Sequence, residues 1–93
     1  MTELEKFISE QISHIVPNFE KLEVRANIGD SSYSVEFFAT VDGTRMQCFD
    51  MVDEGLIKEK DLDTVSKSIA NYMRCSSDYN IGNINKISVI ISR

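Results

Sequence analysis

Apolar residues recur at helical spacing along the first fifteen positions. Leu4, Phe7, Ile8, Ile12 and Ile15 step by three and four, which predicts an amphipathic helix over 2–15. Thr2 and Glu5 fit a capping box at its start. Pro17 predicts its end, because the residue before a proline avoids helical angles. The period then falls to two. Over 20–28, Leu22, Val24, Ala26 and Ile28 share one face and Lys21, Glu23, Arg25 and Asn27 the other, the pattern of a half-buried strand. "GDSS" at 29–32 reads as a turn. A second strand covers 33–41, with Tyr33, Val35, Phe37, Ala39 and Val41 on one side. Asp42-Gly43 suits the two left-handed positions of a type I′ hairpin turn. A third strand then runs from Thr44 to about Asp50. Helical spacing returns over 59–75 through Leu62, Val65, Ile69, Tyr72 and Met73. The chain closes on a β-rich segment, "INKISVIIS", at 84–92.

The order α-β-β-β-α-β predicts an α+β fold: a two-layer sandwich, an antiparallel meander with both helices on one face. The two-residue turn fixes a register of Val41 opposite Thr44, Ala39 opposite Met46 and Phe37 opposite Cys48. Neighbouring side chains in a strand point to opposite faces, so Phe37 enters the core and Phe38 does not. On the outer face Thr40 meets Arg45, Phe38 meets Gln47 and Glu36 meets Phe49. Phe38 and Phe49 become diagonal neighbours. Arg25 falls opposite Glu36 as a surface ion pair. The edge at which the last strand joins is left open by the pattern.

Length and charge narrow the function. Ninety-three residues make one domain, 1–93, with one core. A net charge of −5 argues against a nucleic-acid or anionic-membrane surface, which needs clustered Lys and Arg, and favours a basic partner. No apolar run approaches a membrane span, and "MTELEKFISEQ" has no signal-peptide pattern. Cys48 and Cys75 lack metal spacing and read as free thiols of a cytoplasmic protein.

Catalytic patterns are not found. His14, the one histidine, lies on the flank of the first helix. A Cys–His nucleophile would need a cysteine beside it. No glycine-rich phosphate loop, EF-hand order or metal spacing is present, so an enzyme, a cofactor and a metal are not expected. The concentrated feature is "DMVDEGLIKEKDLD" at 50–63, six acids against two lysines. It reads either as a solvated loop and helix start or as a docking surface for a basic protein. The docking reading selects Glu36, Phe38, Phe49, Asp50, Asp53, Glu54, Glu59, Asp61 and Asp63 as partner-binding residues. A second reading, from another class, is a homo-oligomeric structural or adaptor domain, a homodimer joined through Phe38 and Phe49.

"IVPNFEKLEV", the hairpin "SVEFFATVDGT", the acidic approach "FDMVDEGLIKEKDLDTVSKSIANYM" and the closing "ISVIIS" together resemble the YezG-like antitoxin/immunity family. Immunity proteins of contact-dependent growth inhibition are a similar class. The resemblance implies a small cytoplasmic bacterial protein that neutralises a cognate protein toxin, often a nuclease, by stoichiometric binding; a nuclease is commonly basic, because its substrate is polyanionic, and so suits this acidic chain. It carries over no catalytic residue and no cofactor.

Overall fold

The computed structural model describes residues 1–93. Seven elements follow one another: α1 (Glu3–Ser13), β1 (Lys21–Ile28), β2 (Tyr33–Val41), β3 (Thr44–Gln47), α2 (Cys48–Asp53), α3 (Glu59–Arg74) and β4 (Asn85–Ser92). α1 begins where the sequence places its cap. The Thr2 hydroxyl accepts from Glu5 N–H, and the Glu5 carboxylate accepts from Thr2 N–H. The β2–β3 turn holds Asp42 at φ +50° and Gly43 at φ +78°, the left-handed pair required to fold a strand back on itself.

The four strands form one antiparallel sheet in the order β3-β2-β1-β4. The last strand joins at β1, not at β3. β3 is four residues long and would support only half of an eight-residue strand, whereas β1 matches β4 residue for residue from Lys21↔Ser92 to Ile28↔Asn85. Leu22, Val24, Ala26 and Ile28 of β1, Val35, Phe37 and Ala39 of β2, and Ile87 and Ile91 of β4 are buried on one face. Ile8 and Ile12 of α1 and Leu62, Val65 and Ile69 of α3 are buried with them in one cluster. The helices meet through Phe7 and Tyr72, whose rings stack 4.2 Å apart at 14°. The fold is the expected two-layer α+β sandwich, and no helix covers the other sheet face. No helix is long and apolar enough to cross a membrane.

Three expectations are corrected. The third strand stops at Gln47, and Cys48–Asp53 turns into a short helix. Met46 and Cys48 fit a strand's period of two, but Cys48, Met51 and Val52 also fit three- and four-residue steps. Turning inward buries Cys48, Met51 and, beyond the helix, Ile57, which continuing along a sheet edge would have left half exposed. The pairs Phe37–Cys48 and Glu36–Phe49 therefore do not form, and Phe49 rides on α2 away from the register that would set it beside Phe38. Finally, Arg25 does stand opposite Glu36, but the ion pair of this face joins Arg45 to Glu23.

Candidate functional site

Phe38 lies in the middle of the open sheet face. Its neighbours across the strands are Glu23 on β1 and Gln47 on β3. Arg45, opposite Thr40, stands diagonal to it. Arg45 leans along this diagonal, so that its guanidinium carbon sits 3.8 Å from the centre of the Phe38 ring. Its Nε donates to Glu23 Oε2 at 2.6 Å. The ring face supplies a negative quadrupole and the carboxylate supplies the counter-charge, so one cation satisfies both. Arg45 is what covers the second phenylalanine.

The same contact acts back on Glu23. The hydrogen bond from Arg45 is the largest cause holding its carboxyl below the usual carboxylate range, followed by opposing desolvation and then by the charges of Arg45, Lys21 and Arg25. Arg45 is exposed and Glu23 half-buried, with 54% and 27% of their side-chain surface in solvent. The pair is therefore an accessible surface device rather than a core fixture.

Two adjoining hollows flank this stack. One, of about 230 Å³, is lined by Glu23, Arg25, Glu36, Phe38 and Arg45. The other, wide-mouthed and about 450 Å³, is lined by Phe38, Arg45, Met46, Gln47, Asp50, Asp53 and Glu54. Gln47 stands between them and donates to Glu36 Oε2 at 3.5 Å. The α2 turn brings Asp50, Asp53 and Glu54 to the sheet, since a strand continuing through Asp50 would have carried them off its end. The result is one trough with an aromatic floor. Glu23, Glu36, Asp50, Asp53 and Glu54 wall it, against Arg25 and Arg45.

Of the residues selected from sequence, Glu36, Phe38, Asp50, Asp53 and Glu54 meet at this trough. Phe49 does not line it and stands 51% exposed on α2. Glu59, Asp61 and Asp63 lie in the first turns of α3, all exposed, outside both hollows. Glu59 and Asp61 are placed where a carboxylate favours the helix dipole. Sequence reading missed Glu23, Arg25, Arg45, Met46 and Gln47. The signal was present: the register derived from Asp42-Gly43 already set Arg45 diagonal to Phe38.

The two thiols are far from this face in character. Cys48 is buried, and desolvation, the largest cause, raises its pKa. Cys75 caps α3 and is exposed. No three His, Cys, Asp or Glu side chains are grouped to hold a metal ion. A wide-mouthed trough with charged walls suits side chains presented by another protein better than a small molecule, whose sites are enclosed and largely apolar. No family model, curated protein or solved structure matches this chain.

Proposed function

We propose that this protein is an immunity protein or antitoxin that neutralises a basic protein toxin, of the nuclease class, by stoichiometric docking. The observation that carries the reading is the trough over Phe38, where five carboxylates surround one aromatic floor. A nuclease must be basic where it holds its polyanionic substrate. An acidic protein of net charge −5 is steered to that region and excludes the substrate without any chemistry. The resemblance to the YezG-like antitoxin/immunity family points the same way. An aromatic anchor that a partner buries within a charged rim is also how compact interfaces concentrate affinity.

The test is association with the product of the adjacent reading frame. Co-expression should relieve its toxicity, and the two chains should co-purify in equal amounts. Asp53→Lys with Glu54→Lys should slow association at low salt by about tenfold or more and flatten its salt dependence. Asp61→Lys with Asp63→Lys, outside the trough, should change the rate far less. Failure of rescue and of co-purification would remove the reading. A larger effect from the α3 pair would move the docking surface there.

A further inference from the structure

The sheet ends in two unlike edges. β3 is four residues long, and the chain leaves it at Cys48 for α2. β4 is eight residues long and has β1 as its sole neighbour. Edge strands of monomeric proteins are commonly kept from pairing by shortness, proline, bulges or charge. β4, "NKISVIIS", has one lysine as its sole such device.

The direction of its backbone groups follows from the ladder. Arg93 N–H donates to Glu20 O at 2.9 Å, one step beyond the Lys21↔Ser92 pair. Antiparallel pairs alternate between hydrogen-bonded and non-bonded. The backbone groups of Asn85, Ile87, Val89 and Ile91 therefore face β1. Those of Lys86, Ser88, Ile90 and Ser92 face outward along the free edge. The side chains of these same four lie on the open sheet face, and Ile90 is 63% exposed there.

α1 is the helix that packs on the β4 side of the sheet. Arg93, just past β4, donates to Ser13 Oγ of α1 at 2.5 Å, so this flank of α1 lies above the strand. Phe7, on the other flank, stacks against α3. Glu5, Ser9 and Ser13 thus share the row of α1 that faces the β4 side, and the Glu5 carboxylate is tied back to Thr2 N–H at the start of the helix.

We propose that β4 pairs with β4 of a second copy, antiparallel about a two-fold axis at Ser88, to form a continuous eight-stranded sheet. An axis normal to the sheet keeps both helical layers on one side. It requires a residue to face its own copy, so that core-facing positions meet core-facing positions. With the axis at Ser88, Ile90 lies opposite Lys86 of the second copy. The lysine methylenes cover the isoleucine, and its ammonium extends toward Glu23, the next residue in that row. On the core side Val89, half-buried in one copy, meets Ile87 of the other. With the axis at Val89, Ile90 would face a serine and Lys86 would face Ser92, without either gain. The Ser88 register forms about six backbone hydrogen bonds and closes on itself as an isologous contact. This inference does not rest on the toxin-binding reading: of the trough only Glu23 comes near this edge, and the α2 wall lies beyond both β1 and β2.

Sedimentation velocity of the full chain, from about 1 µM to about 500 µM, should show a species of twice 10.6 kDa. Ser88→Pro removes an outward N–H, at a position where an edge strand tolerates proline. Ile90→Lys sets lysine against lysine across the axis. Each should raise the dimer dissociation constant by at least about tenfold, with the far-ultraviolet circular dichroism unchanged. Should Ser88→Pro fail to fold, Ile90→Lys carries the measurement alone. Register is read by cysteine. In a Cys75→Ser background, Ser88→Cys should form a covalent dimer on mild oxidation, since facing Cα atoms lie about 5.5 Å apart. Lys86→Cys should not cross-link to its own copy. A monomer at every concentration overturns the proposal and leaves the edge to a strand of another chain. So does a dimer that survives Ile90→Lys or dissociates on Phe38→Ala, and self-linking at 86 in place of 88 overturns the register.

Discussion

Two adjacent phenylalanines carry opposite duties, and their environments set how much each matters. Phe37 is wholly buried between the sheet and the helices. Truncating it to alanine leaves a cavity in a close-packed core and should cost about 3–5 kcal/mol. Phe38 is half-buried, its outer ring face covered by the Arg45 guanidinium at 3.8 Å. Phe38→Ala should cost less than half as much, most of it lost contact with neighbouring strands, with about 1 kcal/mol from the cation. Chemical denaturation of both variants checks the contrast. Equal losses would show the outer ring to be a core element and not an available anchor. This division was legible in sequence, since strand parity fixes it. The partner of Phe38 was only half legible, because the register set Arg45 on one diagonal and Phe49 on the other if the strand ran on. Helical spacing at Cys48, Met51 and Val52 broke that continuation.

At the scale of elements, what was legible is what local chemistry dictates. The Thr2–Glu5 capping box, the Asp42-Gly43 turn and the period-two faces of β1 and β2 each need only a few neighbouring residues, and each stands as read. The placement of β4 and the order of the 75–84 connection depend on contacts from distant parts of the chain. Asn85 shows this. On the core face at the start of β4 it is polar, so a reading by hydrophobicity passes it over. In the fold its amide Oδ1 accepts from Asn80 N–H at 2.9 Å, and its Nδ2 donates to the carbonyls of Asn80 and Asn83, both at 3.1 Å, and to Ile28 O at 3.4 Å. It ties the loop to the end of β1. The loop is held from above as well. The Tyr79 hydroxyl and Gly82 N–H both donate to Asp30, while Arg74 donates to Gly29 O and Ser32 O. Asn85→Ala would leave Asn80 N–H and Asn83 C=O without their partner at a site 7% exposed. It should destabilise by about 2 kcal/mol, within the range for orphaned buried groups. Asn85→Asp keeps the acceptor but loses the donors, and should recover little. Thermal unfolding of both variants measures this, and amide exchange at Asn80 should quicken in Asn85→Ala but far less in Asn85→Asp, which keeps its acceptor.

Over the whole molecule, one layer of helices over one sheet leaves the opposite face free for binding while concentrating stability in a single core. A domain of this length has about 5–14 kcal/mol of unfolding free energy to share, and the question is whether α2, the short helix that shapes the trough, opens separately. Cys48 answers it, because its thiol is fully buried at the first turn of α2, and burial raises its pKa. The helix is only six residues long, too short to hold itself. It is nonetheless pinned by Cys48 and Met51 and by Ile57 just beyond, all inside the same core cluster. Releasing it would expose those three side chains together, so opening at α2 should coincide with loss of the whole core. In a Cys75→Ser variant, which removes the exposed thiol, Cys48 should react with a thiol reagent at least about 10³ times more slowly than in denaturant. Its labelling free energy should fall with denaturant at the slope of global unfolding. A shallower slope would show that α2 detaches on its own. The carboxylates of Asp50, Asp53 and Glu54 would then meet a partner from a mobile segment, and the trough would be assembled on binding rather than presented ready-made.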